Sequence, residues 1–554
     1  MNPVLLKDLL GLLRLKRVAA IQVFFVAVLA LLVLLTWPQS GILTTAARGQ
    51  DSLLLSLVLG QIVLLILFVP GLAAVSITAE REQNTLEMLY ASRLSPWQII
   101  AGKVGSALAF PLILLVAALP FLGLLSYRGE LDWQSLQLAY LVLVLTAIML
   151  ALLSLTISVL CRQSSTALVI AYLAVLVLCG GVMVPAQLML RRTEGLGADV
   201  LQYAQSASPI AAALSVLRPT VFNADALRHR LPESWRIFLP FALILIVGCL
   251  AILVARLRRA PADADSLGGD AAGRQQRSWA RRILVLLDQK KQRRPVGSAN
   301  PLLAKERRTS NLRSGRWMIR IFYASLVLSL ALSAMSLHGG VEDQDLLDGV
   351  TQVIVSLQIA LIGLVVPSLT SSAISGEIEG DTWESLRMTR LSPSAIFWGK
   401  FLPAFFPALL PVAALIPAYA VVCYVNPAFL PHLLRVLPVA AMAVALCAIL
   451  GLLCSSLVGG TARATVAAYL LTAVLFVMPM FGWWSIGSQL DAQTASWLCL
   501  PSPLVMSLAQ LPGAAGRYPS VLALWSTHLL LAGAACALML AMAWVRLKLL
   551  LRRG

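Results

Sequence analysis

Apolar runs of about 20 residues recur along this chain, and they decide which solvent it can fold in. The chain is 59% hydrophobic and only 12% charged, whereas a soluble domain of average composition carries roughly 25% charged residues. A helix of about 20 apolar residues is long enough to cross the hydrocarbon core of a bilayer. We therefore predict an all-α polytopic membrane protein with twelve spans. The predicted spans are approximately 18–36, 53–77, 102–126, 136–160, 167–190 and 237–255, then 317–337, 351–375, 400–424, 434–458, 464–485 and 521–545.

The chain contains one unit twice. Residues 76–103 and 373–400 are identical at 13 of 28 positions with no gap, at a constant offset of 297. The same offset pairs Gln61 with Gln358, far outside that window. Because each half has an even number of spans, both halves have the same orientation, and the repeat is parallel. The predicted organisation is a six-span repeat at 1–255, a basic cytoplasmic linker at 256–299 and a second six-span repeat at 300–554.

The net charge of +18 is typical of the Lys and Arg that membrane proteins keep in their cytoplasmic segments. The basic residues lie between apolar spans, so we predict no binding of nucleic acid. Their concentration at both termini and in the linker places these segments in the cytoplasm, and we expect a bacterial cytoplasmic (inner) membrane location. Loop 191–236 is then extracytoplasmic. Within the linker, residues 277–294 fit either a helix lying on the membrane surface or a disordered basic tether.

The motifs of enzymes and metal sites are absent from the sequence. The eight cysteines and four histidines have no metal-ligand spacing. No G-x-x-x-x-G-K-[ST] loop occurs, so the chain lacks the common phosphate-binding loop of ATPases. We predict no catalytic residues, no metal and no cofactor of its own, and the chain is not expected to be an enzyme.

A polar segment of about 15 residues joins the second and third spans of each half. It ends in Leu-Ser-Pro, where Ser95 and Ser392 can cap a helix that has proline in its first turn. Before that turn the segment is predicted to be one short helix with an acidic face. A single copy would fit a solvated loop, but two matched copies favour a docking element. The acidic faces comprise Glu80, Asn84 and Glu87 in the first copy, and Glu377, Asp381 and Glu384 in the second.

The pattern Ser/Thr-x-Glu-x-Glu-x-x-Thr-x-Glu-x-Leu, followed by Leu-Ser-Pro and Gly-Lys, resembles the ABC-2 type permease family. Each half also opens on Asn-Pro-x-Leu, as at Asn2 and Asn300. The resemblance implies an N-terminal amphipathic helix and a cytoplasmic coupling helix in each half. It also implies partner ABC ATPase subunits, two copies for this fused chain, that bind ATP and dock on the coupling helices. The docking residues so implied are Glu80, Arg81, Glu82, Thr85 and Glu87, with Glu377, Glu379, Thr382 and Glu384.

The sequence says less about the cargo. Gln61 and Gln358 are matched polar residues within spans, and they fit either a substrate pathway or hydrogen bonds between helices. The spans hold almost no ionisable residues, which disfavours an ion-coupled carrier. We expect an exporter of a hydrophobic or amphiphilic substrate, such as a lipid, drug or natural product. The alternative is an ATP-driven mechanical subunit that acts on an extracytoplasmic partner without transporting cargo.

Overall fold

The computed structural model is helical throughout the part of the chain that it describes, where helices are joined by turns and no strand occurs. This confirms the all-α fold class. The described residues are 4–7, 16–36, 46–82, 85, 95–126, 133–161, 163–181, 196–217, 232–265, 300–303, 305–306, 344–486, 492–511 and 524–552.

In its described residues the first half has six long helices, which we number as spans 1 to 6 of that half. Span 5 ends in a π-helical turn at Val177–Gly181. The bounds of the six helices are Lys16–Thr36, Ala46–Ala73, Pro96–Ser126, Trp133–Leu160, Ser164–Leu176 and Ser234–Asp265.

The second half repeats this order from its span 2 onward, because the predicted span 317–337 lies outside the described residues. Span 3 is divided in two at Leu409, and Leu410–Val425 continues it after Pro393–Ala408. The other bounds are Gln344–Thr370 for span 2, Leu430–Leu457 for span 4, Thr461–Ile486 for span 5 and Trp525–Arg552 for span 6.

Ten helices within the described residues are long and apolar enough to cross a membrane, five in each half. Span 1 of the first half adds a shorter apolar helix, Ile21–Leu34. The chain is therefore a multi-pass membrane protein. The total of twelve spans stays a prediction.

Span 6 of the first half does not end near residue 255, the end predicted for it, but continues to Asp265. The predicted surface helix at 277–294 lies outside the described residues.

Within the described residues, two short helices precede span 6 in each half, and the first pair lies in the segment predicted to be loop 191–236. Ser208 and Ser502 stand at the turn between the helices of each pair. Their hydroxyls donate to the carbonyls of Cys179 (2.7 Å) and Phe476 (2.8 Å), which occupy matched positions of the repeat. Much of loop 191–236 therefore folds back onto its own bundle. The helix bounds are Leu196–Ser206 and Pro209–Leu217 in the first half, and Ala492–Cys499 and Pro503–Ala509 in the second.

Among the described residues, the two halves meet mainly through spans 2 and 5, and span 1 of the first half adds a smaller contact with span 5 of the second. Span 2 of each half packs on span 5 of the other, and the two fifth spans also touch. Leu470 and Val474 of the second half pack against the buried core of the first. The repeated polar segment also lies next to spans 2 and 5 of its own half. A change in the position of this segment would therefore affect the interface between the halves.

Candidate functional site

The repeated segment of the second half is not one continuous helix. It forms Ser375–Glu379 and Trp383–Arg387, separated at Gly380 and Asp381. Asp381 has φ of 53°, a left-handed conformation that Asp tolerates better than most residues and that ends a helix. The prediction of a single helix with one acidic face is therefore wrong for this copy.

The two outer members of that predicted face also differ in environment. Glu377 is largely buried against Lys400, whereas Glu384 is exposed. In the first copy Thr78–Glu82 is helical, and Glu87 lies outside the described residues.

A buried lysine holds the second copy to its surroundings. Lys400 of span 3 is only 8% exposed, and its Nζ contacts both Glu306 (2.5 Å) and Glu377. Burial alone would raise the pKa of Glu377, but hydrogen bonds from Lys400 and Thr382 outweigh it and lower that pKa below its usual value. The ion cluster joins the N-terminal segment of the half, the polar segment and span 3.

The first half repeats the pair of a span 3 lysine and a glutamate of the polar segment, but its third member is a lysine instead of a second glutamate. Lys103 is 4% exposed, and its Nζ lies 2.7 Å from Oε1 of Glu80. Lys7 from the N-terminal segment approaches the same oxygen at 3.9 Å. A lysine that leaves water is costly unless it is paired, so each lysine selects one position for the acidic segment beside span 3.

Close backbone approach explains the glycine that precedes each lysine. A Cβ on Gly399 would lie 3.0 Å from Leu302 and 3.1 Å from Asn300. A Cβ on Gly102 would lie 2.7 Å from Val4. Asn300 also donates to the carbonyl of Ala395. The segment that contains Asn-Pro-x-Leu thus packs directly against the Gly-Lys pair of span 3.

A second carboxylate of each copy caps the start of span 5. Glu82 accepts hydrogen bonds from the backbone N–H (2.8 Å) and hydroxyl (2.7 Å) of Ser164. Glu379 accepts the same pair from Thr461, at 2.8 and 2.6 Å. The first N–H groups of a helix lack partners within it, and its dipole favours a negative charge there. Each polar segment is thereby bonded directly to the first residue of span 5.

The segment is also anchored to the end of span 4. The hydroxyl of Ser158 accepts from the backbone N–H groups of Ile77 and Thr78, both at 3.2 Å. Ser455 does the same for residues 374 and 375, both at 2.9 Å. The serine and the backbone N–H groups in the second half occupy the positions of the repeat that match those in the first half.

One anchor is present in the first copy alone. The guanidinium of Arg81 donates to the carbonyls of Cys161 and Val159 at the end of span 4. The matching residue of the second copy is Ile378, whose side chain has no hydrogen-bond donor. The two copies therefore share their carboxylate contacts but not this cation.

Most of the candidate docking residues are engaged within the chain. Thr85 donates to the backbone carbonyl of Glu80, and Thr382 donates to Glu377. Glu384 is exposed, and Met388, which follows the last residue of the same short helix one turn further on, is 85% exposed. Met388 is not among the docking residues predicted from the sequence, although it follows Glu384 at the i+4 spacing of one helical turn.

Gln61 and Gln358 are completely buried. Among the described residues, neither side-chain amide has a hydrogen-bond partner. Within the described part of the chain, the hydrogen bonds between helices that offered one explanation for this pair are therefore not seen. Leaving a buried amide without partners costs about 1–3 kcal/mol.

The fold and the repeated segment define a class: a multi-pass helical membrane protein whose polar segments are fastened to the ends of its spans. Residues 4–222 match the model of a family described as ABC-2 type transporter. The match lies within the first half of the chain and, together with the apolar helices, supports a transmembrane permease of the ABC-2 type. No curated protein matches the chain.

Proposed function

We propose that this chain is the permease subunit of an ATP-binding-cassette exporter, driven by ATP hydrolysis in separate ATPase subunits. The observation that carries the proposal is the doubled attachment of the polar segment, through Glu82 and Glu379, to the first turn of span 5. A partner that displaces such a segment displaces the span. The chain would lie in a bacterial cytoplasmic membrane with both termini and the polar segments in the cytoplasm.

The partner would bind one copy of the segment in each half, giving two ATPase copies per chain. In the second half, Glu384 and Met388 supply an exposed carboxylate beside an exposed apolar side chain. This combination fits a partner surface that places a cation opposite Glu384 and an apolar pocket around Met388. Glu377 would support docking by holding the segment beside span 3, whereas Glu379 would connect the segment to span 5, because both carboxylates are already bonded within the chain.

Glu384→Lys is expected to reduce the number of ATPase copies from two per chain to one. Reversing a charge that becomes desolvated at an interface costs about 2–5 kcal/mol, and the first-half segment is untouched. Native mass measurement of the co-purified complex gives the stoichiometry. Arg435→Glu, a charge reversal on span 4 away from the segment, is the control. Two copies retained in Glu384→Lys would contradict docking at this surface.

We propose that the cargo is hydrophobic or amphiphilic and that Gln61 and Gln358 belong to its pathway. Two buried amides at matched positions that have no partner among the described residues are expected to lower stability, and local costs of this kind are expected at functional positions.

Gln61→Leu combined with Gln358→Leu is therefore expected to raise thermal stability while weakening transport. Removing each unpartnered amide should stabilise the fold by about 1–3 kcal/mol. The melting temperature of the purified chain and the uptake of an amphiphilic dye into proteoliposomes that contain the complex measure the two effects. A lower melting temperature would assign the glutamines a structural role instead.

An alternative function keeps the ATPase but removes the cargo. The short helices before span 6 expose Val200, Tyr203 and Trp497, which favours a mechanical subunit that acts on an extracytoplasmic partner. Photo-crosslinking from position 203 to one extracytoplasmic protein, without any ATP-dependent dye uptake, would support this alternative.

A further inference from the structure

Two tyrosines touch across the interface between the halves. Tyr172 and Tyr469 occupy the same position of span 5 in each half, and their ring centroids lie 5.1 Å apart. Both side chains are buried. The cluster around the two rings contains side chains of both halves. Ala74 and Leu168 come from the first half, and Leu364 and Val466 of the second half pack against the same cluster.

Each tyrosine is also tied to span 2 of its own half. The hydroxyl of Tyr172 donates to the carbonyl of Leu67 at 2.6 Å, and that of Tyr469 donates to the carbonyl of Leu364. A proline follows three residues after each of these leucines, at Pro70 and Pro367. Proline removes one hydrogen bond from a helix interior, so this turn of each second span has one backbone hydrogen bond fewer.

The space for the first tyrosine depends on a glycine. A Cβ on Gly71 would lie 2.8 Å from the hydroxyl oxygen of Tyr172. At the matching position the second half has Ser368, whose hydroxyl bonds to the carbonyl of Val365 in its own helix. The two rings thus meet on the pseudo-two-fold axis although their immediate neighbours differ.

The tyrosine pair lies close to the docking segments. Each ring is eight residues beyond the residue that Glu82 or Glu379 caps, or about 12 Å along the helix. Four residues further on, about 6 Å beyond Tyr469, Ala473 packs against the core of the first half. The rings therefore lie between the docking end of the interface and the deeper part that contains Ala473.

We propose that Tyr172 and Tyr469 close the interface between the halves at the end that carries the docking segments. This deepens the proposed function, on which it rests, by assigning the closure of the pathway to two residues. The pair blocks passage while the rings touch and the hydroxyls are bonded to span 2. It opens when spans 2 and 5 of the two halves separate.

The closure predicts how fast a thiol placed behind the rings reacts. Ala473→Cys is modified with a charged, membrane-impermeant thiol reagent, applied to inside-out vesicles and then to right-side-out vesicles. The eight native cysteines give the background in the parent chain. Adding Tyr172→Ala and Tyr469→Ala should raise the modification rate from the docking side about tenfold, because a ring contact and two hydrogen bonds are lost. The rate from the opposite side should not change.

Two further variants make the result specific. Tyr172→Phe with Tyr469→Phe keeps the rings and loses the hydroxyls, so a smaller increase in the same direction is expected. Tyr140→Ala breaks the same type of bond, from a tyrosine hydroxyl to the carbonyl of Leu115 (2.6 Å), within the first half, and should have no effect.

Equal rates with and without the tyrosines would overturn the proposal, and so would an equal acceleration by Tyr140→Ala. If the alanine pair does not reach the membrane, the absence of any increase in the phenylalanine pair overturns it. The assay needs neither ATPase nor cargo. Its failure is therefore distinct from a failure of ATPase docking, which the stoichiometry of the complex reports.

Discussion

Lys400→Met is expected to be among the most destabilising single changes in the described part of the chain. The substitution keeps most of the side-chain volume but leaves the carboxylates of Glu306 and Glu377 facing each other without their shared cation. Removing one partner of a buried ion pair costs about 3–5 kcal/mol. We expect the lower end of that range, because both carboxylates keep some contact with water. Thermal unfolding of the purified chain in detergent measures the loss.

The cause of that loss can be separated from a general effect of removing lysine. Lys548→Met removes an exposed lysine whose Nζ lies 4.9 Å from the centre of the Trp544 ring, an interaction of about 0.5–1 kcal/mol. Adding Glu306→Gln and Glu377→Gln to Lys400→Met should restore much of the stability, since the repelling charges are gone. If the triple variant is no more stable than Lys400→Met alone, charge pairing is not what holds the segment beside span 3.

The sequence marked Lys400 and Glu377 as residues of the repeat, but it did not predict that their side chains are in contact. Glu80 precedes Lys103 by the same interval as Glu377 precedes Lys400, and the repeat marked all four. An interval of that length, with a turn inside it, does not determine whether two side chains meet. The contact depends on how the segment folds back, and Asp381, with its left-handed backbone, could not be read from helical periodicity.

Long-range contacts were the least predictable part of the site. Glu82 and Ser164 are 82 residues apart, and no local pattern links them. The carboxylates were recognised because they recur in both copies, and recurrence suggested a surface for a partner. The structure shows that Glu82 and Glu379 bond within the chain. A charged residue that recurs in both copies therefore indicates a contact. It does not show whether that contact is within the chain or with a partner protein.

The spans themselves were predictable because the bilayer fixes their length and polarity. The pairs of short helices before span 6 were not predicted, because neither helix of a pair is long enough to cross a bilayer. Neither therefore gives an apolar run of the length that marks a span. A local signal was available in the Ser-Pro dipeptides at Ser208 and Ser502, because proline is favoured in the first turn of a helix that a serine caps.

Glu82→Ala combined with Glu379→Ala is expected to weaken coupling strongly while leaving ATPase docking intact. The two carboxylates make the described hydrogen bonds between the side chains of the polar segments and the first residues of the fifth spans. Hydrogen bonds to charged groups contribute about 1.5–3 kcal/mol each, so losing them in both halves should reduce ATP-driven dye uptake into proteoliposomes by about tenfold or more. Glu384 is unchanged, and two ATPase copies should still co-purify.

The matched controls decide between a lost connection and a damaged fold. Glu82→Gln with Glu379→Gln keeps an accepting oxygen at each cap and should retain part of the uptake. Glu233→Ala removes a carboxylate that also stands at the start of a span and accepts from Trp235, but outside the docking segments, and should leave uptake unchanged. Full uptake in the alanine pair would mean that the buried lysines and the serine anchors on span 4 suffice to move the bundle. Loss in the alanine pair alone would establish that force passes from each docking segment into span 5 through one carboxylate, two helical turns from the tyrosine pair.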